Sequence, residues 1–163
     1  KMKKKTYPIF LFILLVLFNS CSGYKPIFSS TNLDFTIGNY SIQGNKLLGN
    51  KIYSQLYALS QSNKNNQNKR SIDLLIDTSK HKVALSKNST GKILSYKITL
   101  NTKIEVNDYF TNKKILHKTF TSSLTYKTQN QYSETIELEK KAINNLIEKT
   151  YQDLLISLTQ NFL

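Results

Sequence analysis

The chain has 163 residues, 39% of them apolar, with 23 Lys and Arg against 10 Asp and Glu, one cysteine and two prolines. This size fits one domain with a core of its own, and a single cysteine excludes a disulfide framework, a Cys-rich zinc module and an iron–sulfur cluster. The formal charge of +13 points to an anionic partner, provided that the cations gather on a folded face.

Part of that charge lies in a leader. Lys1, Lys3, Lys4 and Lys5 precede an unbroken apolar run from Ile9 to Phe18, followed by Asn19, Ser20 and Cys21. A basic start, an apolar stretch of this length and a small residue before the break make a secretory signal; a spanning helix needs about 20 apolar residues. Lys1 ahead of Met2 suggests a sequence that starts upstream of its initiator or is a fragment. Setting residues 1–20 aside removes four lysines and no acids, leaving 19 basic residues against 10 acidic and a charge of +9.

Cys21 closes the signal, with Ser20 before it and Ser22 and Gly23 after it. This is the outline of a bacterial lipobox, with Phe18 where a leucine is usual. The cysteine would then be the modified N-terminus, carrying S-diacylglycerol and an N-acyl chain whose buried methylenes hold the domain at a membrane at about 0.8 kcal/mol each. Ser22 in place of an aspartate favours the outer membrane by the enteric sorting rule. The alternative is a free cysteine beside a conventional cleavage site.

Residues 21–32 read as a lipidated tether, held extended by Lys25-Pro26, and residues 33–163 as one domain. Asp34 to Ile42, bounded by Gly38 and Gly44, is predicted as a short strand with Phe35 and Ile37 on one face. Asn45 is a candidate N-cap for a helix from Lys46 to Ser60, because Leu48, Ile52, Leu56 and Leu59 recur on one helical face. Gln61 to Arg70 is polar and reads as a mobile loop. In the next strand Ile72, Leu74 and Ile76 share one parity while Val83 and Leu85 take the other, which predicts a bulge near Ser79 to Lys82. Asn88-Ser89-Thr90-Gly91 is a turn.

The clearest strand follows, with Tyr96, Ile98, Leu100, Thr102, Ile104 and Val106 on one face and Lys97, Thr99, Asn101, Lys103 and Glu105 on the other. Asn107 to Lys113 is a hairpin loop, and Leu116, Phe120, Leu124 and Tyr126 mark its partner strand. Ser133 is a candidate N-cap for a final helix of nearly thirty residues, with Glu134, Glu137 and Glu139 near its positive end and an apolar stripe from Ile136 through Leu146, Ile147, Leu154, Leu155 and Leu158. The expected fold is a two-layer α+β domain, a four-stranded, mainly antiparallel sheet packed against two helices in the order β-α-β-β-β-α.

Little in the sequence carries reaction chemistry. His81 and His117 lack neighbouring ligands and read as surface strand residues, so no metal is expected. Phosphate-binding loops and nucleophile elbows are missing, and Asp73 and Asp77 share a parity without a base or nucleophile to complete a site. An enzyme is not expected. The remaining feature is basic surface: Lys97 and Lys103 on the polar face of the long strand, Lys80 and Lys82 in the strand before it, and Lys113, Lys114 and Lys118 around the hairpin. Its bland reading is a solvated face that resists aggregation.

Three stretches resemble the lipopolysaccharide-assembly lipoproteins of the LptE type, especially alphaproteobacterial ones: Cys21-Ser22-Gly23-Tyr24-Lys25-Pro26-Ile27-Phe28, Thr90 to Leu100, and Tyr126 to Ala142 with Gln131-Tyr132-Ser133 and Glu139-Lys140-Lys141-Ala142. The resemblance implies a non-enzymatic, outer-membrane lipoprotein on the periplasmic side, without a cofactor beyond the acyl groups on Cys21. Such a subunit plugs and helps to assemble a β-barrel partner, LptD, and contacts lipopolysaccharide. Strand parity and loop position select Lys97, Lys103, Lys113 and Lys114 as the lysines that would meet its phosphates. Two other readings stay open, a periplasmic adaptor or pilot lipoprotein for another envelope complex and a cationic nucleic-acid or cell-wall module. The second of these lacks aromatic interleaving on the basic face, and no nucleic acid is expected as a partner.

Overall fold

The computed structural model describes residues 33–62 and 69–162. The expected signal peptide, Cys21 and the tether lie outside the described residues, as does most of the expected polar loop. Six elements follow in order: β1 (Phe35–Gly44), α1 (Lys46–Ser62), β2 (Arg70–Lys87), β3 (Ile93–Asp108), β4 (Lys114–Lys127) and α2 (Tyr132–Phe162). The strands form one sheet in the order β1-β2-β3-β4, with β1 parallel to β2 and the other pairs antiparallel. This is the expected α+β arrangement. The parallel pair is joined by α1, as such a crossover requires.

Both helices lie on one face of the sheet. Two contacts in register, Lys51 Nζ to Asn144 Oδ1 at 2.9 Å and Gln55 Nε2 to Glu148 Oε2 at 3.0 Å, show that α1 and α2 run side by side in the same direction. Ile52, Leu56, Leu154 and Leu158 descend onto Ile72, Ile76, Ile98, Leu100, Ile104 and Val106, all nearly inaccessible to solvent. Such burial is worth roughly 1.5–3 kcal/mol per large aliphatic side chain before conformational entropy is set against it.

The corner between β1 and α1 is fastened to the middle of β2. Asn45 N–H donates to the Thr78 carbonyl and Thr78 Oγ1 donates to the Asn45 carbonyl, each at 2.7 Å, while Asn45 Oδ1 caps the helix by accepting from Leu48 N–H at 3.2 Å. The expected N-cap is therefore present. Gly44 turns the chain at φ 66°, and a Cβ there would lie 2.2 Å from the Thr78 carbonyl oxygen.

Several boundaries differ from the sequence expectations. β1 begins one residue later and ends two later than Asp34 to Ile42, and Gly38 lies inside it at a register shift between Ile37 and Asn39 instead of bounding it. α1 continues to Ser62 and β2 already includes Arg70, so both ends of the expected loop are regular structure. α2 begins at Tyr132, which places Ser133 inside the first turn and not at the cap; Thr135 Oγ1 there accepts from Gln129 N–H at 2.8 Å.

The expected bulge at Ser79 to Lys82 is absent. Pairing of β2 with β3 is unbroken from Ile72 to Ala84, and the register shifts only around Ser86. Val83 therefore keeps the parity of Asp73 and Asp77 and faces away from the helices, and Leu85 follows it at the register shift; 55% and 57% of their surfaces are exposed. Their apolar character does not mean burial, because no layer covers that face among the described residues.

Candidate functional site

β1 accompanies β2 only as far as the pair Gly44 and Thr78. Beyond that point the sheet continues as three strands: Ser79 to Lys87 of β2, the first half of β3 and the last half of β4, with the start of α2 above them. Every residue of Ser79 to Lys87 is exposed, whereas β2 before Thr78 alternates between buried and half-buried.

Strand parity builds the helix-side face of this extension. Lys80 and Lys82 continue the parity of Ile72, Leu74, Ile76 and Thr78 and so point towards α2, where Glu139 meets them. Glu139 Oε2 accepts hydrogen bonds from Lys82 Nζ and, at 3.0 Å, from Tyr126 Oη; Lys80 Nζ stands 3.8 Å from Oε1. The Lys82 ammonium also lies 4.3 Å from the centre of the Tyr96 ring, which stacks on Tyr126 at 5.8 Å. An ammonium over a tyrosine face gains a further electrostatic attraction.

Burial acts against both charges, yet the contacts outweigh it. The carboxylate of Glu139 and the hydroxyl of Tyr126 hold the Lys82 pKa above the ordinary lysine range, and Lys82, Tyr126 and Lys80 hold that of Glu139 below the ordinary glutamate range. Tyr126 itself is pushed up, first by burial and then by Glu139. Sequence alone places Lys80 and Lys82 in an open basic surface; they are instead gathered on one carboxylate, Glu139, which leaves the cluster one positive charge in excess.

Beside this cluster a groove of about 480 Å³ opens between the first turn of α2 and the start of β3, with Lys82, Lys92, Ile93, Tyr96, Tyr132 and Ile136 among its walls. Tyr132 is 79% exposed. No ion pair holds Lys92 among the described residues, so the groove offers one free ammonium, two phenol rings and two aliphatic side chains. Tyr132 is visible in sequence only as part of a motif, and nothing local links it to Lys92, 40 positions earlier.

The lysines selected from the sequence do not converge. Lys97 and Lys103 do share the outer sheet face, opposite Val83 and Asp77 respectively, but six residues of strand separate them by about 20 Å. Lys103 Nζ is 2.8 Å from Glu105 Oε1, and that contact raises its pKa. Lys113 and Lys114 lie beyond it at the hairpin, both exposed, with Lys114 opposite Asn107. Lys97 and Lys113 make no ion pair among the described residues. Lys118 faces the helix layer, donating to Ser157 Oγ at 3.0 Å. His117 Nδ1 lies 3.4 Å from Glu105, and His81 is an exposed residue of β2. Asp73 Oδ1 accepts from Asn39 N–H at 3.2 Å, and so serves the β1 bulge. Among the described residues no cluster of three or more His, Cys, Asp or Glu is placed to hold a metal ion.

The hairpin end carries a second built arrangement. Asp108 Oδ2 accepts from Arg70 Nε at 2.7 Å, and Oδ1 accepts from Thr111 N–H at 3.0 Å and Thr111 Oγ1 at 2.9 Å. These donors, Arg70 first, hold the carboxyl well below the usual carboxylate range. The turn they fix presents Phe110 with 81% of its surface exposed.

No protein-family model and no curated protein sequence matches the chain. Solved structures do. The chain superposes on uncharacterized lipoprotein B from Nitrosomonas europaea with TM-score 0.57 and 12% identity, covering 82% of this chain and 88% of that one. It matches rare lipoprotein B from Shewanella oneidensis with TM-score 0.53 and 15% identity, over 75% and 94% of the two chains. For a minor lipoprotein from Acinetobacter baumannii the values are 0.53 and 15%, over 78% and 94%. At such identities the likeness is one of architecture: the chain shares its fold with bacterial lipoproteins.

Proposed function

We propose that this protein is a non-enzymatic lipoprotein of the outer membrane, anchored through acyl groups on Cys21 on the periplasmic side. In this reading it is the LptE-type subunit of the lipopolysaccharide translocon, seated in an LptD-like β-barrel whose assembly it assists. The observation that carries the reading is the form of the domain. β2, β3 and β4 have 18, 16 and 14 residues, two to three times the usual strand, giving a sheet about 50–60 Å long. One face of it is polar and bears no covering layer among the described residues. A slender, one-sided sheet with a hydrated face suits a wide, polar barrel interior. Lipid A phosphates and core acids would meet Lys97, Lys113 and Lys114 there and Lys92 in the groove, while Lys103 arrives already paired with Glu105.

Co-purification tests this. Tagged full-length protein extracted from envelopes in mild detergent is expected to bring down an outer-membrane barrel of several hundred residues together with lipopolysaccharide. Recovery alone, or with an inner-membrane transporter, sinks the translocon assignment and favours an adaptor role. The anchor is tested separately. Cys21→Ser is expected to move the folded protein from the membrane to the soluble fraction, and complete retention at the membrane would refute lipidation.

A further inference from the structure

The free half of β2 offers backbone as well as side chains. Thr78 presents its carbonyl towards the β1 side, where Asn45 N–H takes it. Backbone groups alternate along a strand with period two, so Lys80, Lys82 and Ala84 present their N–H and C=O groups to that same side. β1 has ended, and the ladder to β3 occupies the other edge. Among the described residues nothing pairs with these six groups.

An open edge is ordinarily guarded by lysines that stand off it. Here the guards are folded away: the ammonium groups of Lys80 and Lys82 turn onto Glu139 of α2. The edge also carries an exposed apolar pair on its other side, Val83 and Leu85. From Ser79 to Lys87 there are three lysines and no acid, with Lys92 in the turn beyond, and Glu139 is the single carboxylate shared by Lys80 and Lys82. A second copy of the chain would bring an equal set of lysines alongside.

We infer that Ser79 to Leu85 is a docking edge for an extended segment of a partner protein, which adds to the sheet as a strand in the row that β1 vacates. The segment carries acidic side chains on its helix-side face, aligned with Lys80 and Lys82, and apolar ones on its other face, reaching as far as Val83 and Leu85. Main-chain hydrogen bonds supply the pairing and the side-chain alternation supplies the choice. This role is independent of lipopolysaccharide and of which envelope complex the protein serves.

The test uses the full chain, isotope-labelled in mild detergent, and a blocked hexapeptide of alternating Glu and Val as probe. The expected result is amide shifts confined to Ser79 to Leu85 and the β3 residues opposite, Tyr96 to Asn101. An analogue with N-methyl groups on the pairing edge keeps the charges and loses the donors, and should bind about tenfold more weakly or worse. Ala84→Pro should weaken binding similarly while the remaining amide spectrum is preserved, because its N–H faces outward and no ladder bond to β3 is lost. Should that variant not fold, the N-methylated peptide decides alone. The inference is overturned by absent shifts at millimolar peptide, by equal binding of the N-methylated analogue, by shifts that extend to Lys103, Lys113 and Lys114 as simple charge attraction would give, or by sedimentation of a dimer that Ala84→Pro dissociates.

Discussion

Gly44→Ala is expected to be among the most destabilising single-methyl additions in this domain, costing about 3 kcal/mol. Two costs combine. At φ 66° an L-residue with a Cβ sits in the left-handed region, a penalty of roughly 1–2 kcal/mol. The added carbon would also lie 2.2 Å from the Thr78 carbonyl oxygen and 2.7 Å from Asp77 Oδ1. The first of these is backbone in mid-sheet and has no freedom to swing aside. Relief requires moving the β1–α1 corner off β2, which breaks the paired 2.7 Å bonds between Asn45 and Thr78. Gly91 supplies the control, since it has φ 83° and nothing within 4 Å of the place a Cβ would take. Gly91→Ala should therefore cost only the conformational part, about 1 kcal/mol. Urea unfolding of both variants checks this, and equal losses would show that the contact with Thr78 contributes nothing.

Glu139→Ala is the second large effect, and it is pH-dependent. The substitution strips Lys82 of its hydrogen-bonded counter-charge and leaves Tyr126 Oη without its acceptor. A charge-assisted bond contributes roughly 1.5–3 kcal/mol when buried. With Lys82 a third exposed, solvent screening reduces the expected loss to about 1–2 kcal/mol at neutral pH. Glu139 has a depressed folded pKa, so its contribution is present above the unfolded value near 4.5 and fades as pH falls through the folded one. Lys82 has a raised folded pKa, so its share is complete below the unfolded value of 10.5 and fades as pH rises through the folded one. The gap in unfolding free energy between wild type and Glu139→Ala should thus be widest from about pH 5 to pH 10 and narrow on either side. A gap that is flat from acid to neutral pH would refute the ionic account of this cluster.

Period and parity make most of the fold legible. α1 is readable because Leu48, Ile52 and Leu56 repeat at helical spacing behind a capping asparagine, and β3 because its alternation runs without a break. β2 is harder for a physical reason. Its two halves share one backbone path but differ in what covers them, and burial depends on neighbours that no local pattern encodes. Val83 and Leu85 look like an inward pair and so imply a bulge. Following parity from Ile76 through Thr78 would place Lys80 and Lys82 on the helix side, so that signal is present and is masked by two apolar letters. Their partner Glu139 lies 57 positions from Lys82, a separation over which sequence spacing carries no information. The same applies to Arg70 and Asp108, which meet only because β2 and β3 pair in one register.

The early end of β1 gives β2 two thermodynamic halves. From Arg70 to Thr78 the strand is hydrogen-bonded on both edges and roofed by α1, so freeing it means dismantling the core and costs close to the whole stability of the domain. From Ser79 to Lys87 it is bonded on one edge, with little more than Lys80 and Lys82 gripping the helix layer, and local opening there forfeits few apolar contacts. The tip can therefore open while the remainder stays intact, so that one continuous strand joins a firmly held half to a more yielding one.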